Sequence, residues 1–96
     1  MASDAKDRNK SLYLDSLGRP CLQYTAESRA QAATPDVFDH IVAANNRCLQ
    51  RIKVKLCYYK STTCYTVDLA GNQRKETILG TFTAMRYFRY EYQEQK

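Results

Sequence analysis

The chain has no long hydrophobic run and little glycine. No apolar stretch approaches the roughly 18 to 20 residues that a membrane span needs, and the opening MASDAKDRNK has no apolar signal-peptide core. The three glycines, Gly18, Gly71 and Gly80, form no glycine-rich phosphate loop, and no serine lies in a nucleophile elbow. We therefore expect no membrane span, and a cytoplasmic location if the chain is native and full length.

Histidine is also scarce, which limits the catalytic chemistry that the chain can support. His40 is the only imidazole, and Asp36 would lie one turn before it if this segment were helical. Such a pair can position a proton for catalysis, but an exposed Asp and His at this spacing are more often an ordinary pair on a helix surface. We predict that the protein is not an enzyme and that it uses no cofactor.

The composition is typical of one small soluble globular domain. Of the 96 residues, 44% are hydrophobic and 26% are charged, so a buried core is expected and disorder of the whole chain is not. The first eleven residues are polar and show no periodicity. We predict a flexible N-terminal arm over residues 1–11 and a single domain over residues 12–96.

The segment TPDVFDHIVAANN predicts an amphipathic helix. Thr34 is a natural N-cap, and Pro35 suits the first helical position. Four apolar residues then recur at helical spacing on one face. They are Val37, Phe38, Ile41 and Val42.

The C-terminal half predicts four strands. RIKVKLCY and CYTVDLAG alternate between apolar and polar residues, AGNQ reads as a turn, and RKETILG and the long TFTAMRYFRYEYQ follow. We predict an α+β fold in which the helix packs on a roughly four-stranded antiparallel sheet formed by this half. A small β-sandwich is the alternative architecture.

The register of the first predicted hairpin pairs two cysteines. If the hairpin closes over Lys60 and Ser61, the numbers of opposed residues sum to 121. Every apolar residue then faces another, and one pair carries opposite charges. These pairs are Ile52 with Leu69, Val54 with Val67, Leu56 with Tyr65, and Lys53 with Asp68. Cys57 falls opposite Cys64 in the same register, within the distance that a disulfide tolerates.

We therefore predict a Cys57–Cys64 disulfide, which leaves Cys21 and Cys48 to pair by elimination. Two alternatives stay open. A zinc site is one, although the cysteine intervals of 27, 9 and 7 match no familiar ligand spacing. Four reduced cysteines acting as small hydrophobic residues are the other. Disulfides would indicate an extracytoplasmic protein and free thiols a cytosolic one.

The net charge of +5 lies entirely in the C-terminal half. Residues 1–50 hold six Lys/Arg and six Asp/Glu, whereas residues 51–96 hold nine and four. Arginine and tyrosine also interleave in the last predicted strand, and both are enriched at protein interfaces. We predict a non-catalytic binding module with a basic, tyrosine-rich contact surface. Its candidate residues are Arg51, Lys53, Lys55, Tyr59, Arg86, Tyr87 and Arg89.

The predicted partner is another protein, or a second copy joined through an edge strand. Single-stranded nucleic acid is the alternative, because cations bind phosphates and aromatic rings stack on bases.

Overall fold

The computed structural model describes residues 8–96, and their regular secondary structure is all β-strand. The strands are β1 (Leu22–Ala30), β2 (Val37–Asn46), β3 (Ile52–Tyr58), β4 (Cys64–Leu69), β5 (Arg74–Thr83) and β6 (Tyr90–Gln95). They form two antiparallel sheets, sheet I in the order β1-β2-β5 and sheet II in the order β4-β3-β6. Over these residues there is no helix that is long and apolar enough to cross a membrane.

The predicted helix was wrong, because its residues form β2, the central strand of sheet I. Val42 and Ala44 point into the core between the sheets. Ile41 and Ala43 lie on the other face, yet they are also buried between the neighbouring strands. Burial on both faces removes the alternation that identifies a strand, and the remaining apolar pattern imitates helical spacing.

The predicted four-stranded sheet was also wrong, because β5 leaves the sheet that β3 and β4 form. After the tight turn at residues 70–73, β5 pairs with β2 in sheet I. The predicted long last strand is interrupted as well, since residues 84–89 cross from β5 in sheet I to β6 in sheet II. The α+β prediction is therefore replaced by an all-β fold, with which only the alternative of a small β-sandwich is compatible.

One hydrophobic cluster fills the space between the two sheets. Leu22, Val42, Ala44 and Leu79 contribute to it from sheet I, and Ile52, Val54, Leu56, Val67 and Leu69 from sheet II. Partly buried tyrosines and Phe88 pack around the cluster. The two sheets are thus held together by apolar burial, the main favourable term in folding.

His40 lies between the sheets and is fully buried. Its Nδ1 is 3.0 Å from the Tyr58 hydroxyl, its Nε2 is 2.8 Å from the Met85 carbonyl oxygen, and its ring stacks on Phe88 with centroids 4.4 Å apart. The helical pairing with Asp36 does not exist, because the segment is a strand. Both ring nitrogens have partners inside the protein, as buried polar groups require.

A buried carboxylate joins sheet II to sheet I and to the segment before β1. Glu94 is 2% exposed. Its Oε1 accepts hydrogen bonds from the backbone N–H groups of Leu12 at 2.8 Å and Tyr13 at 3.3 Å, and its Oε2 accepts one from the Tyr24 hydroxyl at 2.8 Å. The pKa of Tyr24 is raised by burial and by this bond to Glu94. Three donors compensate the carboxylate for the water it loses.

Candidate functional site

Both predicted disulfides are present. Cys57 and Cys64 are bonded across the β3–β4 hairpin with their Cα atoms 4.1 Å apart, and Cys21 and Cys48 are bonded with theirs 5.3 Å apart. The hairpin has the predicted register, including the pair of Lys53 with Asp68. Two disulfides are compatible with an extracytoplasmic protein.

The bonded cysteines leave no thiol for the alternatives of a zinc site or four reduced side chains. Residues 8–96 also contain no group of three or more side chains placed to hold a metal ion.

Five of the seven predicted contact residues share the outer face of sheet II, which points away from the core. Along β3, Ile52 and Val54 face inward, so Lys53 and Lys55 face outward. Tyr59 continues this alternation, and its backbone N–H donates to the Arg89 carbonyl oxygen at 3.0 Å. We use the term basic face for the surface formed by Arg51, Lys53, Lys55, Tyr59 and Arg89.

Positive charge on the basic face is only partly paired. Asp68 and Glu91 are the carboxylates that the sheet register places on it. Arg51 Nη1 lies 3.2 Å from Asp68 Oδ1, and Arg8 pairs with Glu91. None of the ion pairs formed within residues 8–96 involves Lys53, Lys55 or Arg89. Lys53, Lys55 and Arg89 thus have no carboxylate partner among the described residues, and the Arg89 guanidinium contacts the Tyr59 ring instead.

The outer face of sheet I provides a contrast, because its two arginines, Arg29 and Arg74, are paired with carboxylates. Arg29 lies 2.9 Å from Glu27 and 3.4 Å from Glu76, and Arg74 lies 3.4 Å from Glu76. The hydrogen bond from Arg29 lowers the pKa of Glu76. Within residues 8–96 the arginines of this face are thus paired, whereas Lys53, Lys55 and Arg89 on the outer face of sheet II are not.

The basic face becomes concave where β3 begins. Arg51, Lys53 and Lys96 line this concave region together with Tyr13, Asp68 and Gln95. Lys96 Nζ is 5.8 Å from the centroid of the Tyr13 ring, and the Tyr13 hydroxyl donates to the Gln95 carbonyl oxygen at 2.6 Å. Sequence reasoning missed Tyr13 and Lys96, because no local pattern brings together residues so far apart in the chain.

The other two predicted contact residues, Arg86 and Tyr87, lie away from the basic face. They belong to the crossing segment 84–89, next to β1. The Arg86 guanidinium is 5.4 Å from the centroid of the Phe38 ring, and the Ser28 hydroxyl donates to the Arg86 carbonyl oxygen. Tyr87 is 90% exposed. The sequence placed both residues on one strand with Arg89, and the interruption of that strand separates them.

Three of the six tyrosines in the C-terminal half, Tyr58, Tyr90 and Tyr92, are partly buried, and Tyr59, Tyr65 and Tyr87 are exposed. Tyr92 stacks on Tyr24 with ring centroids 4.1 Å apart. Burial raises the pKa values of Tyr58 and Tyr90. Tyr59 is 37% exposed, and the Arg89 guanidinium lies 4.0 Å from its ring centroid. The basic face therefore offers cations and hydrogen-bond donors more than open aromatic rings.

Comparisons of the chain with protein-family models, with curated proteins and with solved structures found no match.

Proposed function

We propose that the protein is a small non-catalytic interaction module that binds an acidic protein partner through the basic face. The observation that carries this proposal is that Lys53, Lys55 and Arg89 form no ion pair within residues 8–96, whereas Arg29 and Arg74 on the outer face of sheet I are both paired with carboxylates. A localised positive field attracts acidic partners and speeds their association.

The rigidity of the face also supports binding. The Cys57–Cys64 disulfide closes the hairpin that holds Lys53 and Lys55, and Arg89 is held against the Tyr59 ring. Side chains on an ordered scaffold lose less conformational freedom on association than side chains on a mobile loop. A preformed basic surface can therefore bind an acidic one at a lower entropic cost.

The proposal is tested with a fluorescein-labelled glutamate polypeptide as the acidic probe. The pair Lys53→Gln/Lys55→Gln should weaken binding by about tenfold, as expected for the loss of two charge contacts. The matched pair Arg29→Gln/Arg74→Gln removes the same charge from the outer face of sheet I and should change affinity by less than about threefold. Fluorescence anisotropy at fixed salt measures both affinities.

Equal losses in the two variant pairs would show that net charge alone binds the probe, against the proposal. A single-stranded oligonucleotide of matched charge gives the second comparison. If the oligonucleotide binds more tightly than the polypeptide at the same ionic strength, nucleic-acid binding replaces the proposed function. Nucleic-acid affinity is expected to fall steeply with salt, because phosphate neutralisation releases counterions.

A further inference from the structure

We infer that the ligand of the basic face is an extended protein segment with acidic residues at alternate positions, and that one of its carboxylates binds in the concave region beside Arg51 and Lys53. This inference rests on the proposed function, because it specifies the chemistry and conformation of the acidic partner.

The spacing of the cations is the first observation behind this inference. Arg51 immediately precedes β3, and Lys53 and Lys55 follow at alternate positions on its outer face. Residues two apart in a strand are separated by about 6.6 to 6.8 Å. Carboxylates at alternate positions of an extended ligand have the same spacing, so three of them can oppose these three cations at once.

The concave region supplies a defined end for such a row. Arg51 uses Nη1 to bind Asp68 at 3.2 Å, which orients the guanidinium and leaves its other N–H groups as donors. Lys53 lies opposite Asp68 on β4 and opposite Gln95 on β6. With Lys96, the side chains that line the region include three cations and one carboxylate, that of Asp68. The surplus positive charge suits a carboxylate ligand, which guanidinium and ammonium groups bind by charge-assisted hydrogen bonds.

The row of cations formed by Arg51, Lys53 and Lys55 ends before Cys57. After Lys55, the next outward position on β3 is Cys57, which is 2% exposed and bonded to Cys64. Lys55 is therefore the last cation on the outer face of β3, and Arg89, which contacts the Tyr59 ring, lies beyond the strand. The geometry therefore fits a short acidic segment with three alternating carboxylates, rather than a long polyanion that needs an unbroken row of cations.

The tyrosines beside these cations favour a protein ligand over single-stranded nucleic acid. The Tyr13 hydroxyl is bonded to the Gln95 carbonyl oxygen, and the Tyr13 ring lies beside Lys96. The Tyr59 ring carries the Arg89 guanidinium. Single-stranded nucleic acids gain affinity by stacking bases on open rings. The Tyr13 and Tyr59 rings already contact other side chains, so they are less open to base stacking. A carboxylate ligand can bind the cations without stacking on an open ring.

Two labelled peptides of identical composition test the inference. In one, three glutamates alternate with three threonines; in the other, the three glutamates are contiguous. We expect the alternating peptide to bind at least about fivefold more tightly, because only it aligns each carboxylate with one cation. Lys53→Gln should abolish this preference, whereas Arg74→Gln on the outer face of sheet I should preserve it. Thermal unfolding of both variants verifies that they are folded.

The outcomes separate this inference from the proposed function. Equal affinity for the two peptides, with binding still weakened by Lys53→Gln, would overturn the alternating ligand and leave the basic face as a binding surface. Failure of both peptides and of the glutamate polypeptide to bind would overturn both proposals. Tighter binding of an oligonucleotide of matched charge would also overturn the inference and assign the cations to phosphates.

Discussion

At the scale of single residues, Gly71 allows the turn between β4 and β5 to approach the backbone of Leu49 closely. It lies in the turn from β4 of sheet II to β5 of sheet I. A Cβ atom at this position would collide with the backbone of Leu49, at 2.8 Å from its carbonyl carbon. Backbone atoms cannot move aside as the end of a flexible side chain can, so the turn requires glycine at this position.

We expect Gly71→Ala to lower the free energy of unfolding by about 2 to 3 kcal/mol, at the upper end of the usual cost of overpacking. Gly18→Ala is the matched control. Gly18 has φ of 80°, and no atom lies within 4 Å of the place that an alanine Cβ would take, so it reports only backbone strain, about 1 to 2 kcal/mol. Urea unfolding measures both. A loss for Gly71→Ala no larger than that for Gly18→Ala would contradict the close approach to Leu49.

The Tyr24–Glu94 hydrogen bond makes stability depend on pH on the alkaline side. Burial and the bond to Glu94 raise the pKa of Tyr24 above its ordinary value of 10.0. Because the pKa is higher in the folded state, this contribution to stability is complete below about pH 10 and is lost as the pH rises above it. We expect the free energy of unfolding to fall above about pH 10, with a smaller slope in Tyr24→Phe.

Urea unfolding from about pH 8 to 11 measures this slope. Burial also raises the pKa values of Tyr58 and Tyr90, so the slope should decrease in Tyr24→Phe without disappearing. At about pH 8 the variant should also lose about 1 to 3 kcal/mol, because Glu94 loses one of its donors. An alkaline slope identical to that of the unchanged protein would refute the role given to Tyr24.

At the scale of elements, the β3–β4 hairpin was predictable and β2 was not, for one physical reason. Sheet II exposes one face to solvent, so Ile52, Val54 and Leu56 alternate with lysines, and the apolar pairs fix the register and the Cys57–Cys64 bond. β2 is buried on both faces, which erases that alternation. Local pattern therefore identifies a strand with one exposed face far better than a strand that is buried on both faces.

The interruption between β5 and β6 gave no sequence signal either. The run TFTAMRYFRYEYQ has strand-forming residues throughout, but Ala84 adopts φ of 60°, a left-handed conformation that alanine rarely takes. The chain turns there and crosses to the other sheet. The candidate site was consequently predicted in part: the β3 cations and Arg89 share a face, while Arg86 and Tyr87 do not.

The two disulfides should differ in their contribution to stability. The Cys21–Cys48 bond spans a sequence separation of 27 and the Cys57–Cys64 bond one of 7. On the chain-entropy model, Cys21→Ser/Cys48→Ser should cost about 3.5 kcal/mol and Cys57→Ser/Cys64→Ser about 2.5 kcal/mol. Urea unfolding of the two double variants measures this. A larger loss on removal of the short-range bond would contradict a mainly entropic contribution.

At the scale of the whole molecule, the crossing segment 84–89 holds the two sheets together at the end where His40 is buried. Phe88 stacks on the His40 ring, and the Met85 carbonyl oxygen lies within hydrogen-bond distance of His40 Nε2. His40 comes from sheet I and its partner Tyr58 from sheet II. Packing at this end therefore couples both sheets and the segment between them.

We expect Phe88→Ala to lower the free energy of unfolding by about 3 kcal/mol, the lower end of the range for aromatic truncations, because the ring is only partly buried. The neighbouring Tyr87, which is 90% exposed, gives the control: Tyr87→Ala should stay within about 0.5 kcal/mol of the unchanged protein. Thermal unfolding compares the two variants. Similar losses in both would place Phe88 outside the packed interior.

The crossing segment 84–89 also separates the disulfide-bonded part of the chain from β6. All four cysteines precede it, so a protease cut after the exposed Arg86 would leave β6 attached to the disulfide-bonded part only by hydrogen bonds and packing. β6 pairs with β3 as an end strand of sheet II. A synthetic peptide of residues 87–96 should then rebind the cut protein, which makes β6 suitable as one half of a two-fragment reporter.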